Sequence, residues 1–280
     1  MKILRVVPTL LLTNIKAMTK QWVPLTDSQW DAISPFFNTK RKRTLNLRTV
    51  LDAIFYLLRT GCQWRNLPAE HPDWQAVYYY FDQWKQTGVY QRMNDELNKL
   101  DRMNEVRDAT PSALCADSQS VDLAPMIFED RGLDPNKKVN GGPTGRRKRQ
   151  WLVDMGGRLW RTVVHAANGA DGPSAKVLLD NLDEINHRLD LFFGDMAYNG
   201  VFADAVVAGG YRYEKAAKPE SKQGFVPVKG RWVVERSISW TNFFRRIVKD
   251  YEYTTSSSEA FLYLANSLVM LQRIDKQWST

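Results

Sequence analysis

The stretch LCADSQSV, residues 114–121, has the composition of a buried β-strand with a carboxylate, Asp117, in its middle. Two further acids stand in similar surroundings. Asp195 directly follows the apolar run LFFG, and Glu235 lies inside WVVER at the start of a predicted long helix. A carboxylate in apolar surroundings is costly unless it is paired, and a shared metal ion would serve all three acids. At the strand ends of an α/β sheet, such acids can converge where ligands bind.

The elements around this strand predict an α/β fold with a mixed sheet. Residues 151–153 and 159–166 flank the turn MGGR and form a predicted hairpin. Further predicted elements follow in the order helix (from 172–173 to 187), strand (191–193), helix (200–208), strand (211–217), a long helix from Arg231 and a last helix after Ser256. This order is typical of a mixed sheet covered by helices.

The residues before this region form a predicted all-helical unit. Thr26 and Gln29 make a capping box, Asn46 can cap a second helix, and Gly61 can end it. Two more helices are predicted over 74–87 and 89–107, with Trp64, Trp74, Tyr78 and Trp84 in the core. We expect an N-terminal extension (1–17, with Met18 as an alternative start), a helical domain (18–108) and a catalytic domain (109–280).

The composition excludes several classes of protein. The chain has 280 residues, of which 44% are hydrophobic and 25% charged, which is ordinary for a globular protein. No apolar run approaches the ~18 residues of a membrane span. Two cysteines and three histidines without ligand spacing disfavour a disulfide framework, a zinc hydrolase and a Ser-His-Asp triad. We therefore expect a reducing, cytoplasmic location.

The charge favours a polyanionic partner. The sequence has 39 Lys and Arg against 31 Asp and Glu, a net charge of +8, and basic proteins attract phosphate backbones. The cations are concentrated, and we expect these clusters to contact DNA. The candidates are Lys40, Arg41, Lys42 and Arg43; Lys137, Lys138, Arg146, Arg147, Lys148 and Arg149; and Arg231, Arg236, Arg245, Arg246 and Lys249.

A helical wheel from residue 231 to 251 places Glu235 on one face with Arg231, Arg246 and Lys249. The opposite face is apolar and is predicted to be buried; it holds Val233, Trp240, Phe244, Ile247 and Tyr251. A metal ion and a phosphate backbone would together explain the charged face. The alternative that Glu235 only pairs with Arg231 on a solvated helix stays open. Asp122 and Asp154 are interpreted as structural.

Five stretches, in this order, carry a resemblance to a known family: LTDSQWDAISPFF, RTVLDAIFYLLRTGCQWRNLP, CADSQSV, FGDMAYNG and RWVVERSISWTNFFRRIVKDYE. Together they resemble the DDE transposases of bacterial insertion sequences, in the group of the fourth and fifth named families. The resemblance spans about residues 20 to 270. It implies a ribonuclease H-like fold for the C-terminal part and a helical N-terminal domain that helps to bind transposon ends.

The resemblance also implies which residues act. Asp117, Asp195 and Glu235 match the three acids, with intervals of 78 residues (117 to 195) and 40 residues (195 to 235). They would be both the catalytic residues and the ligands of two Mg²⁺ ions, with Mn²⁺ as a substitute. Arg231 matches the arginine four residues before the glutamate. The chain departs from the family pattern at Val228, Asn242 and Gln150, where the family has tyrosine, lysine and histidine.

The implied function is transposition. We expect the chain to bind the terminal inverted repeats of its own element and to catalyse Mg²⁺-dependent DNA cleavage and strand transfer. The partners would be transposon ends and target DNA, with nucleoid association and no membrane, and a homodimer in the DNA complex is left open. Two alternatives remain: a nuclease that does not join strands, and an inactive relative that only binds DNA.

Overall fold

The structure is a computed structural model, which describes residues 22–38, 44–134, 145–180, 182–215 and 231–278. The predicted extension (1–17) and the basic residues Lys40–Arg43, Lys137 and Lys138 lie outside these ranges. Within them, no helix is both long enough and apolar enough to cross a membrane.

The N-terminal part is helical, as predicted. Its helices are α1 (Asp27–Ile33), α2 (Leu47–Thr60), α3 (Trp74–Gln86) and α4 (Val89–Asn104). The Thr26 side chain accepts from the backbone N–H of Gln29, while the Gln29 side chain accepts from that of Thr26, so the capping box is present. Asn46 caps α2, and Gly61, at φ 73°, ends it in the left-handed conformation. These local signals therefore set the helix ends.

The C-terminal part is built on one five-stranded mixed sheet. Its strands are β1 (Ala113–Asp122), β2 (Arg146–Asp154), β3 (Leu159–Ala166), β4 (Leu191–Gly194) and β5 (Arg212–Lys215). The spatial order is β3-β2-β1-β4-β5. The first three strands pair antiparallel, whereas β4 pairs parallel with both β1 and β5. This confirms the predicted ribonuclease H-like mixed sheet, with β1 at its centre.

The helices of the C-terminal part are α5 (Asp171–Ala175), α6 (Val201–Ala208), α7 (Arg231–Thr241), α8 (Arg245–Val248) and α9 (Thr255–Trp278). Two predictions were wrong. The helix predicted to reach residue 187 ends at Ala175 and continues only as short 3₁₀ turns. The helix from Arg231 stops at Thr241, because Phe244 is extended (φ −95°, ψ 106°) and fully buried. The α8 backbone packs instead against Gly61.

The two faces of the sheet are covered differently. Helices α5 and α6 cover one face, where Leu114, Ala116 and Phe192 are buried. On the other face α4, α7 and α9 cover the sheet, and Cys115 and Phe193 belong to a core that continues into α1–α4. The predicted boundary at 108/109 falls in the loop between α4 and β1, yet the helices before it and the sheet after it share this core.

The aromatic residues predicted for the core of the helical part differ in how deeply they are buried. Trp84 is buried, and Trp64 contacts both Phe81 and Phe261 of α9. Tyr78 retains 45% of its surface exposed. Aromatic packing therefore joins the helical part to the C-terminal helix.

Candidate active site

Asp117 and Asp195 occupy equivalent positions on neighbouring parallel strands. The register pairs Cys115 of β1 with Phe193 of β4, and each acid lies two residues beyond its member of that pair. The carboxylate of Asp195 accepts the backbone N–H of Ala197 at 2.8 Å, capping the turn that follows β4. The strand pairing therefore brings together two of the three predicted acids.

Asp117 projects from the face of the sheet that α7 covers. Side chains two residues apart on a strand share a face, and Cys115 is buried in the core beneath α7. Trp151, which lies opposite Asp117 across β2, is buried in the same core. Asp117 itself remains partly exposed, because β1 extends beyond the apolar part of this core at that point.

Glu235 lies on α7, which packs on β1 and β2. Val233 and Val234 anchor the helix in the core under it, while Glu235 itself is exposed. The helix thus carries the third acid over the strand that carries the first. Within the described ranges, however, no three His, Cys, Asp or Glu side chains are gathered closely enough to hold a metal ion.

Tyr198 lies among carboxylates and was not predicted from the sequence. Its ring is buried, and burial together with the negative charges of Asp117, Asp171 and Asp195 holds its pKa well above the ordinary range. The phenol of Tyr213 donates to the backbone oxygen of Asp195 at 3.3 Å, and burial, with the Asp195 charge, raises its pKa to about 12. Both hydroxyls therefore remain protonated at neutral pH. The one sequence signal for Tyr198 is its place three residues after Asp195.

Gln150 connects the middle of β2 to the turn after β4. Its amide oxygen accepts the Tyr198 hydroxyl, and its amide nitrogen donates to Asp171 at 3.0 Å and lies 3.0 Å from Nε2 of His165. Gln150 stands where the family pattern has histidine, and it is fully buried. A neutral amide can satisfy an acceptor and a donor at once, which the neighbouring hydroxyl and carboxylate require.

The basic run at the start of β2 does not face solvent, which corrects the prediction that Arg147, Lys148 and Arg149 contact DNA. All three are buried, at 0–2% exposure. Arg147 donates to the carbonyls of Glu252, Glu129 and Tyr253, and Lys148 pairs with Asp171 at 3.1 Å. Arg149 donates to the carbonyl of Ile247 at 2.6 Å and lies 3.8 Å from Asp250. Their charges are compensated inside the fold.

Arg246 is a second correction, because the break after α7 turns it inward. It is 7% exposed, donates to Glu252 at 2.6 Å and to the carbonyl of Cys62 at 3.0 Å, and lies over the rings of Trp64 and Phe261. The helical wheel that placed Arg246 on the same face as Glu235 assumed one continuous helix. Tyr251, predicted on the buried face of that wheel, is 44% exposed for the same reason.

The remaining cation candidates differ in position. Arg245 is exposed and Lys249 is partly exposed, whereas Arg146 pairs with Asp122 at 2.7 Å. Arg231 begins α7. Lys215, which lies in none of the predicted basic clusters, is exposed at the end of β5 and pairs in register with Gly194, one residue before Asp195.

The interpretation of Asp154 as structural agrees with its contacts. It is fully buried, with Arg102 at 2.6 Å and Arg158 at 3.5 Å from its carboxylate. Although burial acts in the opposite direction, these cations and a backbone hydrogen bond from Arg158 lower its pKa. Asp122 is likewise an ion-pair partner on β1 rather than part of the group of Asp117, Asp195 and Glu235.

The donor chemistry of the three acids fits a hard divalent cation. Mg²⁺ prefers carboxylate and water oxygens and retains several waters, so few protein ligands suffice. Asp117 lies on β1, on which the helix that bears Glu235 packs, and Asp195 follows the neighbouring parallel strand β4 at the equivalent position. The site therefore supplies the right atoms from three elements, which a bound cation would draw together.

The sequence matches two known protein families over most of its length. A family model described as "Putative transposase of IS4/5 family" matches residues 25–94, and one described as "Transposase DDE domain" matches residues 108–270. "Uncharacterized protein y4sN" of Sinorhizobium fredii (strain NBRC 101917 / NGR234) is 38% identical over 73 residues, which are 25% of this chain and 58% of that protein. This chain therefore spans less than two thirds of that relative.

Similar solved structures include a crystal structure of the Mos1 mariner paired end complex with Mn, with a TM-score of 0.30 and 10% identity over 96% of this chain and 90% of that one. Another is the Mos1 strand transfer complex, with a TM-score of 0.28 and 12% identity over 86% of this chain and 80% of that one.

Proposed function

This chain belongs to the transposase DDE domain family, and we propose that it binds the terminal inverted repeats of its own insertion sequence and catalyses Mg²⁺-dependent cleavage and strand transfer there. The observation that carries this proposal is the equivalent placement of Asp117 and Asp195 at adjacent parallel strands, the first of which is covered by the helix that bears Glu235. Acids separated by up to 118 residues (117 to 235) are thereby assigned to one end of the sheet.

Asp117, Asp195 and Glu235 would hold the divalent metal. Such ions activate the attacking oxygen and stabilise the leaving oxygen of an in-line displacement at phosphorus. Asp117 is fixed by the central strand, and Asp195 by its cap on the Ala197 amide. Glu235 is presented by the exposed surface of α7 rather than by a strand end. We therefore assign to Asp117 and Asp195 the preformed part of the site and to Glu235 the part that completes it.

DNA backbone would be held by cations that remain at the surface. Arg245 is exposed, Lys249 partly so, and Lys215 stands at the strand end beside Asp195. Phosphate contacts of this kind position the duplex without reading its sequence. Recognition of the terminal repeats is assigned to the helical part, α1–α4, with Lys40–Arg43 as further phosphate contacts. The proposal thus divides recognition and chemistry between two parts of the chain.

The experiment compares Asp117→Asn with a matched variant on the same strand, Asp122→Asn. Each is incubated with a labelled duplex that carries the inverted repeat and its flank, with and without Mg²⁺, and both cut and joined products are scored. Asparagine keeps the side-chain shape but removes the charge that a cation requires. We expect Asp117→Asn to abolish both products while Asp122→Asn retains them, with end binding similar in all three proteins.

The outcomes separate the alternatives. Equal cutting by Asp117→Asn and the parent would refute the assignment of the three acids. Cut but never joined products from the parent would indicate a nuclease. Tight end binding by a parent that never cuts would indicate a DNA-binding relative.

A further inference from the structure

Helix α7 rests on the turn between β2 and β3, and the contact is very close. Gly157, at φ +85°, allows it: a Cβ there would lie 2.9 Å from Oγ of Ser237 and 3.0 Å from Nη2 of Arg236. The Ser237 hydroxyl lies 2.8 Å from the carbonyl of Gly157, to which it donates. The backbone of the turn therefore lies directly against side chains of the helix.

Arg236 provides the second polar contact between helix and turn. Its Nη2 donates to the carbonyl of Gly156 at 2.9 Å. The guanidinium carbon lies 4.5 Å from the ring centroid of Trp232 and 4.7 Å from that of Trp240, so one ring precedes it and one follows it along α7. Burial, and then the charge of Arg273, lowers its pKa to about 10, which leaves it protonated at neutral pH. A guanidinium in this position is already engaged and is a poor candidate for a phosphate contact.

The turn that accepts the hydrogen bond from Arg236 is itself held in place by Asp154. Asp154 accepts the backbone N–H groups of Gly156 (2.8 Å) and Arg158 (3.1 Å) through one oxygen, and Arg102 of α4 donates to the other at 2.6 Å. Arg158 in turn donates to Asp101 at 2.7 Å. These side chains are buried, and the ion pairs of Asp154 with Arg102 and Arg158 hold the turn from two sides. The carbonyl of Gly156 is therefore held in a defined position, to which α7 is hydrogen-bonded.

We propose that Arg236 is a positioning residue, which ties α7 to the Gly156 carbonyl and so fixes the rotation of the helix that presents Glu235 to the divalent cation. This inference rests on the proposed function. Consecutive helix residues point about 100° apart, so fixing Arg236 against the turn fixes the direction of its neighbour. The apolar contacts of Val233 and Val234 hold the helix in the core but are non-directional, whereas a hydrogen bond to a fixed carbonyl specifies an angle.

The test measures cation binding rather than turnover. Mn²⁺ is titrated into the full chain without DNA, and the unbound ion is counted by electron paramagnetic resonance. Arg236→Met removes the hydrogen bond and keeps the apolar stem, while Arg236→Lys keeps the charge and a donor. Arg161→Met is the control, because Arg161 is also a buried guanidinium, paired with Asp95 at 2.8 Å, but it lies on β3 away from the turn. Glu235→Gln tests whether the Glu235 carboxylate binds the ion.

Loss of a group that orients a metal ligand costs about 10- to 100-fold in affinity. We therefore expect Arg236→Met to weaken Mn²⁺ binding about 10-fold, Arg236→Lys to restore most of it, and Arg161→Met to bind as the parent does. DNA affinity measured without metal should be unchanged in Arg236→Met.

Parental Mn²⁺ affinity in Arg236→Met would overturn the inference, provided that Glu235→Gln binds weakly. So would a loss of metal-free DNA affinity at unchanged Mn²⁺ affinity, which would make Arg236 a backbone contact. Parental Mn²⁺ affinity in Glu235→Gln would instead overturn the ligand assignment of the proposed function. The two failures are thus distinguishable.

Discussion

Glu259 makes the stability of the fold depend on pH in an unusual direction. This partly buried residue near the start of α9 accepts the backbone N–H of Val164, on the sheet edge, at 2.8 Å. Burial raises its pKa from 4.5 to about 7, against the smaller opposing effect of that hydrogen bond. The folded state therefore holds a proton that the unfolded chain has already released at neutral pH.

The sign follows from linkage between protonation and folding. The stabilising contribution of Glu259 is complete below pH 4.5 and is lost as the pH rises through about 7. At about 1.4 kcal/mol per pH unit the full interval corresponds to at most about 3.5 kcal/mol, and solvent at the partly exposed carboxyl reduces this to about 2 kcal/mol. The fold should lose that amount between about pH 4.5 and about pH 8.5.

The measurement is urea unfolding of the parent and of Glu259→Gln at both ends of that pH range, with tryptophan fluorescence as the probe. Glutamine keeps an oxygen for the Val164 amide but cannot ionise, so the difference between the two free energies of unfolding should shift by about 2 kcal/mol in favour of the variant as the pH rises. Glu70→Gln, at an exposed loop position, is the control and should follow the parent. Parallel pH profiles for the parent and Glu259→Gln would refute the reasoning.

Further predictions concern the corrected cations and the turn. Arg246→Met should destabilise the fold by about 3–5 kcal/mol in urea unfolding, because it leaves Glu252 buried without its cation, while the salt dependence of DNA binding stays unchanged. The exposed neighbour variant Arg245→Ala should stay within about 0.5 kcal/mol of the parent but lower the log–log salt slope by about 0.9; the reverse pattern would contradict the burial of Arg246. Gly157→Ala should cost at least about 1 kcal/mol for its positive φ and weaken Mn²⁺ binding, and a parental thermal midpoint would argue against the close contact with α7.

The sequence predicts best those features whose cause lies within a few residues. The cap at Thr26 and the stop at Gly61 appear where predicted, because each depends on side chains or glycine at the helix end itself. The apolar runs around Asp117 and before Asp195 predicted two strands, and the order of elements predicted a mixed sheet covered by helices. The α/β fold was therefore accessible without a structure.

The basic residues of β2 were misread because their compensating groups are distant in the sequence. The positive charges of Arg147 and Arg149 are compensated by Asp250 and by backbone carbonyls near it, about a hundred residues away in the sequence. Without knowledge of those partners, a run of basic residues in the sequence predicts an exposed loop. The break at Phe244 was missed for a related reason: neither glycine nor proline marks it, and the chain turns there because Phe244 and Arg246 fit the core beside α2.

The shared core has a consequence for how the chain acquires its structure during synthesis. Asn266 of α9 donates to the side chains of Asn94 and Asn98 on α4, at 2.7 and 2.9 Å, across about 170 residues of sequence. Contacts between such distant residues slow folding, because a long loop must close first. Helix α4 thus completes its packing only after α9, far along the chain, has been made. A product terminated before α9 would expose apolar surface and aggregate, instead of persisting as a folded fragment.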